Sequence, residues 1–354
     1  MSVKNKILSK LRFSRYKNVT HPANNRDFEP FKITYLCQNT RAPSGGAKVI
    51  YKHTSIINTL FAEIATAQIL HANKTSFRCD WDFDNLRFKE DYYFDSKNEV
   101  YMLHEMWAVR ESKVLTQKKI RYGVFVQGSY LINRKASYSE VKLAYENAFI
   151  IACVSDDIYD CLIYLFPHLK HKVFKITLSI DTHVFSSTGD KENLITYMPR
   201  RLKRHSDLVL FFLEAYLPSG WEIRPIDGMS QAEVAKNLAE SKIFLSFGEL
   251  EGFGLPPIEA ALSGNIVIGY SGEGGKEYWH QPLFIEINNG DIKSFSKTIL
   301  SVIDSYDKKA ITFEGLKSHV NQLRNTYSEE NERKSLRDVL NFIQAELHSL
   351  RKNS

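Results

Sequence analysis

The densest chemistry in the chain lies in one stretch, IFLSFGELEGFGLPPIEAALSG over residues 243–264, followed at once by the apolar run IVI at 266–268. This order of residue types predicts a strand, a glycine turn, a helix and a second strand. Gly252 and Gly254 let the backbone approach a ligand closely, because no Cβ stands in the way. Pro256 or Pro257 suits the first helical turn, where its missing N–H has no intrahelical acceptor in any case, and Gly264 suits the helix end. Such a helix start presents unpaired N–H groups and the positive end of a dipole, which can hold a phosphate or a sugar hydroxyl. Glu251 is expected in the loop and Glu259, with seven residues between them, on the first helical turn. Both can then face one crevice at the carboxyl end of the sheet and accept hydrogen bonds from hydroxyl groups. The spacing also admits a plainer arrangement, in which Glu259 serves only its own helix start and the glycines only a tight turn.

Other chemistries find less support. Asp80-Trp-Asp82 and Asp82-Phe-Asp84 satisfy an Asp-x-Asp pattern able to hold a divalent cation, but a chain with 41 acidic residues produces such triplets by chance, and no metal site is expected. His and Cys are too scattered for zinc, and neither a G-x-S-x-G elbow nor a Walker loop occurs. Four cysteines without C-x-x-C spacing suit reduced thiols, with the cytoplasm as the expected compartment. A length of 354 residues favours two domains, and 43% hydrophobic with 25% charged residues excludes collagen-like, disordered and disulfide-framework classes. The apolar run Leu208–Leu213 falls far short of the roughly 18–20 residues of a membrane span, and no apolar segment of signal-peptide type opens the chain.

The net charge of +6 is concentrated at one end. Seven of the 47 basic residues and none of the 41 acidic ones lie in residues 1–26, leaving 40 against 41 in the rest. Ile7, Leu8, Leu11 and Phe13 interleave with those cations, so the leader is either a solvated tail or a peripheral contact with the anionic inner face of a membrane. No RNA-binding aromatic motif or zinc-finger spacing points to nucleic acid.

The elements that must position these residues alternate as βαβ units. In the first half, strands are expected at 32–37, 64–71, 101–104, 122–127 and 149–154, with a helix at 138–148 and an irregular connection over 77–98. In the second half, strands are expected at 193–198, 222–226, 243–247, 265–270 and 283–287. A helix over 231–241 is signalled by Ser230 and Glu233, a capping box. Leu336, Leu340, Ile343, Leu347 and Leu350 form an apolar stripe on a long terminal helix that must dock on the body. The expected organisation is a basic leader (1–30), an N-terminal α/β domain (31–178), a C-terminal α/β domain (179–310) and C-terminal helices packing across the two (311–354).

The segment Glu251-Gly-Phe-Gly-Leu-Pro-Pro-Ile-Glu259-Ala resembles the E-x7-E donor-site motif of retaining glycosyltransferases with the GT-B fold, specifically family 4. Further pieces align in order: the 269–277 stretch ending Gly275-Lys-Glu277 with a "GG-x-E" loop, Asn289-Gly-Asp291 with a "GD" helix start, Cys153-Val-Ser-Asp156 with a "VS-E/D" helix start, and 178–185 with the crossover between domains. The resemblance implies an α/β fold of two facing Rossmann-like domains with a docked C-terminal helix, the first (31–178) taking the acceptor and the second (179–310) the nucleotide sugar. It also implies that Glu259 bonds the nucleotide ribose, and that Glu251 and the amides around Gly252, Phe253, Gly254 and Leu255 hold the sugar and distal phosphate. Phosphate neutralisation would fall to the cations after the first strand of the second domain. Arg200 and Arg201 are the first choices, although the wording of the motif departs here and leaves Lys203 and Arg204 open. In the first domain, Ser44-Gly45-Gly46-Ala-Lys48 resembles the family's glycine loop beneath the donor phosphates; a turn-only role is its alternative. His104 and Glu105 end a strand and can supply acceptor-side polar groups or a base, or serve structure alone; Gln127 is similarly placed.

The function these features imply is a retaining, metal-independent transfer of a sugar from a nucleoside diphosphate to a glycan or lipid-linked saccharide, without a resident cofactor, as in cell-surface polysaccharide synthesis. A sugar-nucleotide 2-epimerase of similar fold, or a catalytically silent glycan-binding or scaffold subunit, are the alternatives.

Overall fold

A computed structural model of the chain describes residues 17–18, 30–37, 44–71, 81–95, 97–186 and 191–352, so nearly all of the basic leader lies outside the described residues. The chain divides into two compact units. One comprises Met1–Val154, Ile158–Thr177 and Arg333–Ser354, the other Ser155–Asp157 and Leu178–Glu332.

The first unit is built on a six-stranded parallel sheet. In chain order its strands are β2 (Phe31–Cys37), β3 (Ala65–His71), β5 (Glu99–His104), β6 (Tyr122–Val126), β7 (Ile151–Cys153) and β8 (Val173–Lys175); β1 (Lys17–Asn18) and β4 (Tyr93–Phe94) pair separately. The spatial order is β3-β2-β5-β6-β7-β8, so the sheet grows outward from β2 in both directions. Five of the seven β2 residues are apolar or aromatic and all but Lys32 are buried, as a strand covered by helices on both faces requires. The covering helices are α1 (Gly45–Leu60), α2 (Glu105–Gln117), α3 (Tyr138–Glu146) and α4 (Asp156–Leu165). Ser137 and Glu140 form a reciprocal capping box on α3, which stops at Glu146, two residues before its expected end. The connection expected to be irregular contains order of its own. Phe88 forms a parallel bridge with Ile69, extending the edge of the sheet beside β3.

The second unit is a five-stranded parallel sheet in the order β10-β9-β11-β12-β13. Its elements are β9 (Glu192–Tyr197), α5 (Lys203–Glu214), β10 (Glu222–Pro225), α6 (Gln231–Glu240), β11 (Ser241–Glu251), α7 (Leu255–Leu262), β12 (Ile266–Glu273), β13 (Phe284–Glu286), α8 (Ile292–Asp307) and α9 (Phe313–Thr326). The central strand β11 continues four residues past its expected end at Phe247. Its polar tail stays on the ladder through the pairing of Glu251 with Glu273, after a register irregularity that begins at Gly248. The expected box of Ser230 and Glu233 caps α6.

The last helix, α10 (Glu329–Lys352), begins in the second unit and continues in the first, the division falling between Glu332 and Arg333. Within the first unit Phe342 packs on Phe174, and the Arg337 guanidinium lies 5.0 Å from the Phe61 ring centre. Leu336, Leu340, Ile343 and Leu347 are buried as the stripe requires, whereas Leu350 is exposed, so the docked face ends one turn early. No described helix is long and apolar enough to cross a membrane.

Candidate functional site

In the second unit, β11 delivers Glu251 as its last residue, so this acid is pinned to the sheet instead of riding on a free loop. Gly252 and Phe253 follow, and Gly254 caps α7 at φ +80°, in the left-handed region that glycine enters without strain. Glu259 falls on the second turn of α7, one turn deeper than expected. Pro256 and Pro257 have no N–H to offer, and the N–H groups of Phe253, Gly254 and Leu255 meet no acceptor among the described residues. Three successive amides are thus available at the end of the central strand.

The loop after β12 holds this turn in place, backbone against backbone. Gly274 donates its N–H to Glu251 O at 3.1 Å, and a Cβ at Gly274 would lie 2.1 Å from Gly252 O. A Cβ at Gly275 would lie 2.3 Å from Ser271 O. The Tyr278 hydroxyl shares its proton between Phe253 O at 2.9 Å and Gly254 O at 2.5 Å. Burial raises the Tyr278 hydroxyl well above its ordinary value, and the charges of Tyr327, Glu277, Glu251 and Glu259 add to the effect, so it remains a donor. Phe253 packs on Tyr278 and Tyr327 and is 4% exposed, so its side chain belongs to the core beneath the turn. Tyr278 had no signal in the sequence: a single tyrosine in a loop has no period or spacing to betray it.

Of the four cations after β9, the structure brings one to the site. Arg201 meets Glu251 at 3.1 Å from Nε to Oε1 and 3.5 Å from Nη2 to Oε2, a two-point guanidinium–carboxylate contact. Leu202, at φ +40°, takes the left-handed conformation just before α5. Lys203 is committed to Asp207, one turn along its own helix, at 2.8 Å. Arg200 and Arg204 are exposed and have no partner among the described residues.

In the first unit, four of the remaining candidates form one cluster. Gly45 and Gly46 are the first residues of α1, capped by Ser44, and not a loop. Gln127 Nε2 donates to Gly46 O at 3.0 Å, while its N–H donates to Glu105 Oε2 at 3.2 Å. His104 Nδ1 lies 3.0 Å from the same carboxylate oxygen and 3.4 Å from the Met106 N–H. The nitrogen cannot serve both, and the shorter contact places its proton toward Glu105. Glu105 and His104 are buried, and Gln127 Oε1 finds no donor among the described residues. Gly45 itself is exposed at the helix start. Asp80 lies outside the described residues; Asp82 and Asp84 are exposed, and no group of three or more His, Cys, Asp or Glu able to hold a metal occurs among the described residues.

No protein-family model matches the sequence. An α-1,6-glucosyltransferase of Actinobacillus pleuropneumoniae serotype 7 is 36% identical over 84 residues, 23% of this chain; that stretch spans about a quarter (26%) of the relative's length. Among solved structures, Anabaena HepE in complex with UDP-glucose superposes with a TM-score of 0.64 at 11% identity, covering 88% of this chain and 99% of that one. The lipopolysaccharide outer core galactosyltransferase WaaB superposes at 0.62 and 12% identity, covering 87% and 99%. The sucrose-phosphate synthase of Thermosynechococcus elongatus superposes at 0.58 and 11% identity, covering 91% and 98%. With two parallel sheets flanked by helices, the fold is α/β of the GT-B type, the fold of glycosyltransferases.

Proposed function

We propose that the chain is a retaining glycosyltransferase of the family 4 kind, transferring a hexose from a nucleoside diphosphate to a glycan or lipid-linked saccharide. The observation that carries the reading is the set of three free amides beside Glu251, Arg201 and Glu259 at the end of β11. The amides and the Arg201 guanidinium take the diphosphate, Glu259 the ribose hydroxyls and Glu251 the sugar hydroxyls. UDP is the proposed nucleotide, in line with HepE and its bound UDP-glucose.

In this reaction the bond from the anomeric carbon to the diphosphate oxygen breaks as the acceptor hydroxyl bonds to the same face of that carbon. The acceptor's proton passes to the departing oxygen. Negative charge grows on the diphosphate, and fixed guanidinium and amide donors stabilise it without having to reorganise. Such donors do the work of a divalent cation, so the activity is expected to need no metal or resident cofactor. Residues 1–26 would bring the enzyme to the inner face of a membrane carrying lipid-linked acceptors, as in surface polysaccharide assembly.

The full chain, incubated with UDP-glucose and saccharide acceptors with and without EDTA, tests the proposal. The expected result is UDP release with an α-linked product at the same rate in both arms. A β-linked product, or loss of activity with EDTA, contradicts it.

A further inference from the structure

The first unit carries an aromatic cluster that the donor site does not use. The Tyr51 ring centre lies 5.4 Å from that of Trp81, 5.7 Å from Phe88 and 6.0 Å from His71, and the Phe88 and His71 planes are within 17° of parallel. Tyr51 OH and His71 Nε2 are 2.8 Å apart, a hydrogen bond that fixes both rings. His71 is the last residue of the edge strand β3, so the cluster sits at the carboxyl end of the parallel sheet, where ligands bind in open α/β folds.

Burial does not account for Phe88, which remains 53% exposed. It is nevertheless held. Ile69 donates its N–H to Arg87 O at 2.9 Å, and Lys89 donates to Ile69 O at 2.8 Å, so the backbone on either side of Phe88 is tied to β3. A solvent-facing ring fixed in this way is preorganised, and a ligand need not order it on arrival.

We propose that this cluster is a saccharide subsite, in which the C–H face of an acceptor pyranose lies against Phe88 and Trp81. A pyranose presents an apolar face and a rim of hydroxyls. The electron-rich face of an aromatic ring suits the first, and Asp82 and Asp84, exposed between Trp81 and Phe88, can accept from the second. A quaternary ammonium ion also binds aromatic rings, but it favours several faces converging on one point. Here Tyr51 stands at 80° to Trp81 and 63° to Phe88, so ring edges meet ring faces. The term acceptor rests on the glycosyltransferase reading, to which the subsite adds the residues that would hold the acceptor's sugar.

Saturation-transfer NMR on the full chain with maltose, isomaltose, lactose and N,N′-diacetylchitobiose tests the subsite, alongside the thermal shift produced by UDP. At least one disaccharide is expected to bind, with a Kd that rises about five- to tenfold in Phe88→Ala and likewise in Trp81→Ala. UDP should stabilise all of these proteins equally, and Phe211→Ala, an exposed aromatic of α5, should leave saccharide binding unchanged. Failure of every disaccharide to bind, unchanged affinity in Phe88→Ala, or displacement of the saccharide by choline would overturn the subsite. Phe88-dependent saccharide binding in a chain that no UDP or UDP-sugar stabilises would keep the subsite and remove the glycosyltransferase reading.

Discussion

Gly274 admits no side chain. A Cβ there meets Gly252 O at 2.1 Å, backbone against backbone, so Gly274→Ala must push the two loops of the second unit apart. The expected cost is about 1–3 kcal/mol in chemical denaturation, with the response to UDP lost as well. Glu251→Gln should behave differently. Arg201 is 63% exposed, and an ion pair in that setting contributes roughly 0–1 kcal/mol, so stability should barely move. Affinity for UDP-glucose should fall while affinity for UDP alone holds or rises, because Arg201 is released from its carboxylate; calorimetric titration of both ligands separates the two effects. The acids and glycines of this turn were legible in the sequence because residue type at fixed spacing reports local backbone. Arg201 could not be singled out from Arg200, because two adjacent residues of one type carry no spacing that tells which meets Glu251, and Tyr278 matters only once the following loop has folded back on it.

Among the elements, α6 shows best what a helix end needs. Its N-terminus is closed by the box of Ser230 and Glu233, and Ser230→Ala should cost about 1 kcal/mol. At its C-terminus Lys191 Nζ donates to Leu238 O, Ala239 O and Ser241 O, at 3.2, 3.2 and 2.6 Å. Burial lowers this amine to about 7, so between there and the ordinary 10.5 the folded chain holds fewer protons than the unfolded one. Stability should therefore rise with pH through that window, and urea titrations of wild type against Lys191→Met should show the difference moving in favour of wild type. The strands could be read because buried parallel strands are apolar runs. Two features escaped for one reason: the polar end of β11 and the Phe88 rung are held by main-chain hydrogen bonds, which leave no mark in side-chain pattern.

At the scale of the whole molecule, the chain leaves the first unit briefly at Ser155–Asp157 and again after Thr177, returning after Glu332, and each unit has its own parallel sheet and core. The alternation of apolar runs sufficed to anticipate an α/β chain built on parallel sheets. The docked length of α10 could not, because Leu350 keeps the heptad-like spacing after the surface beneath it has ended. The account assigns the donor entirely to residues of the second unit. Its most direct test is calorimetric titration of the full chain with UDP-glucose, wild type beside Glu259→Ala. The account predicts saturable one-site binding by wild type and at least tenfold weaker binding by the variant, a loss of about 1.4 kcal/mol or more. Equal affinity in the two proteins, or no binding by wild type, would contradict it.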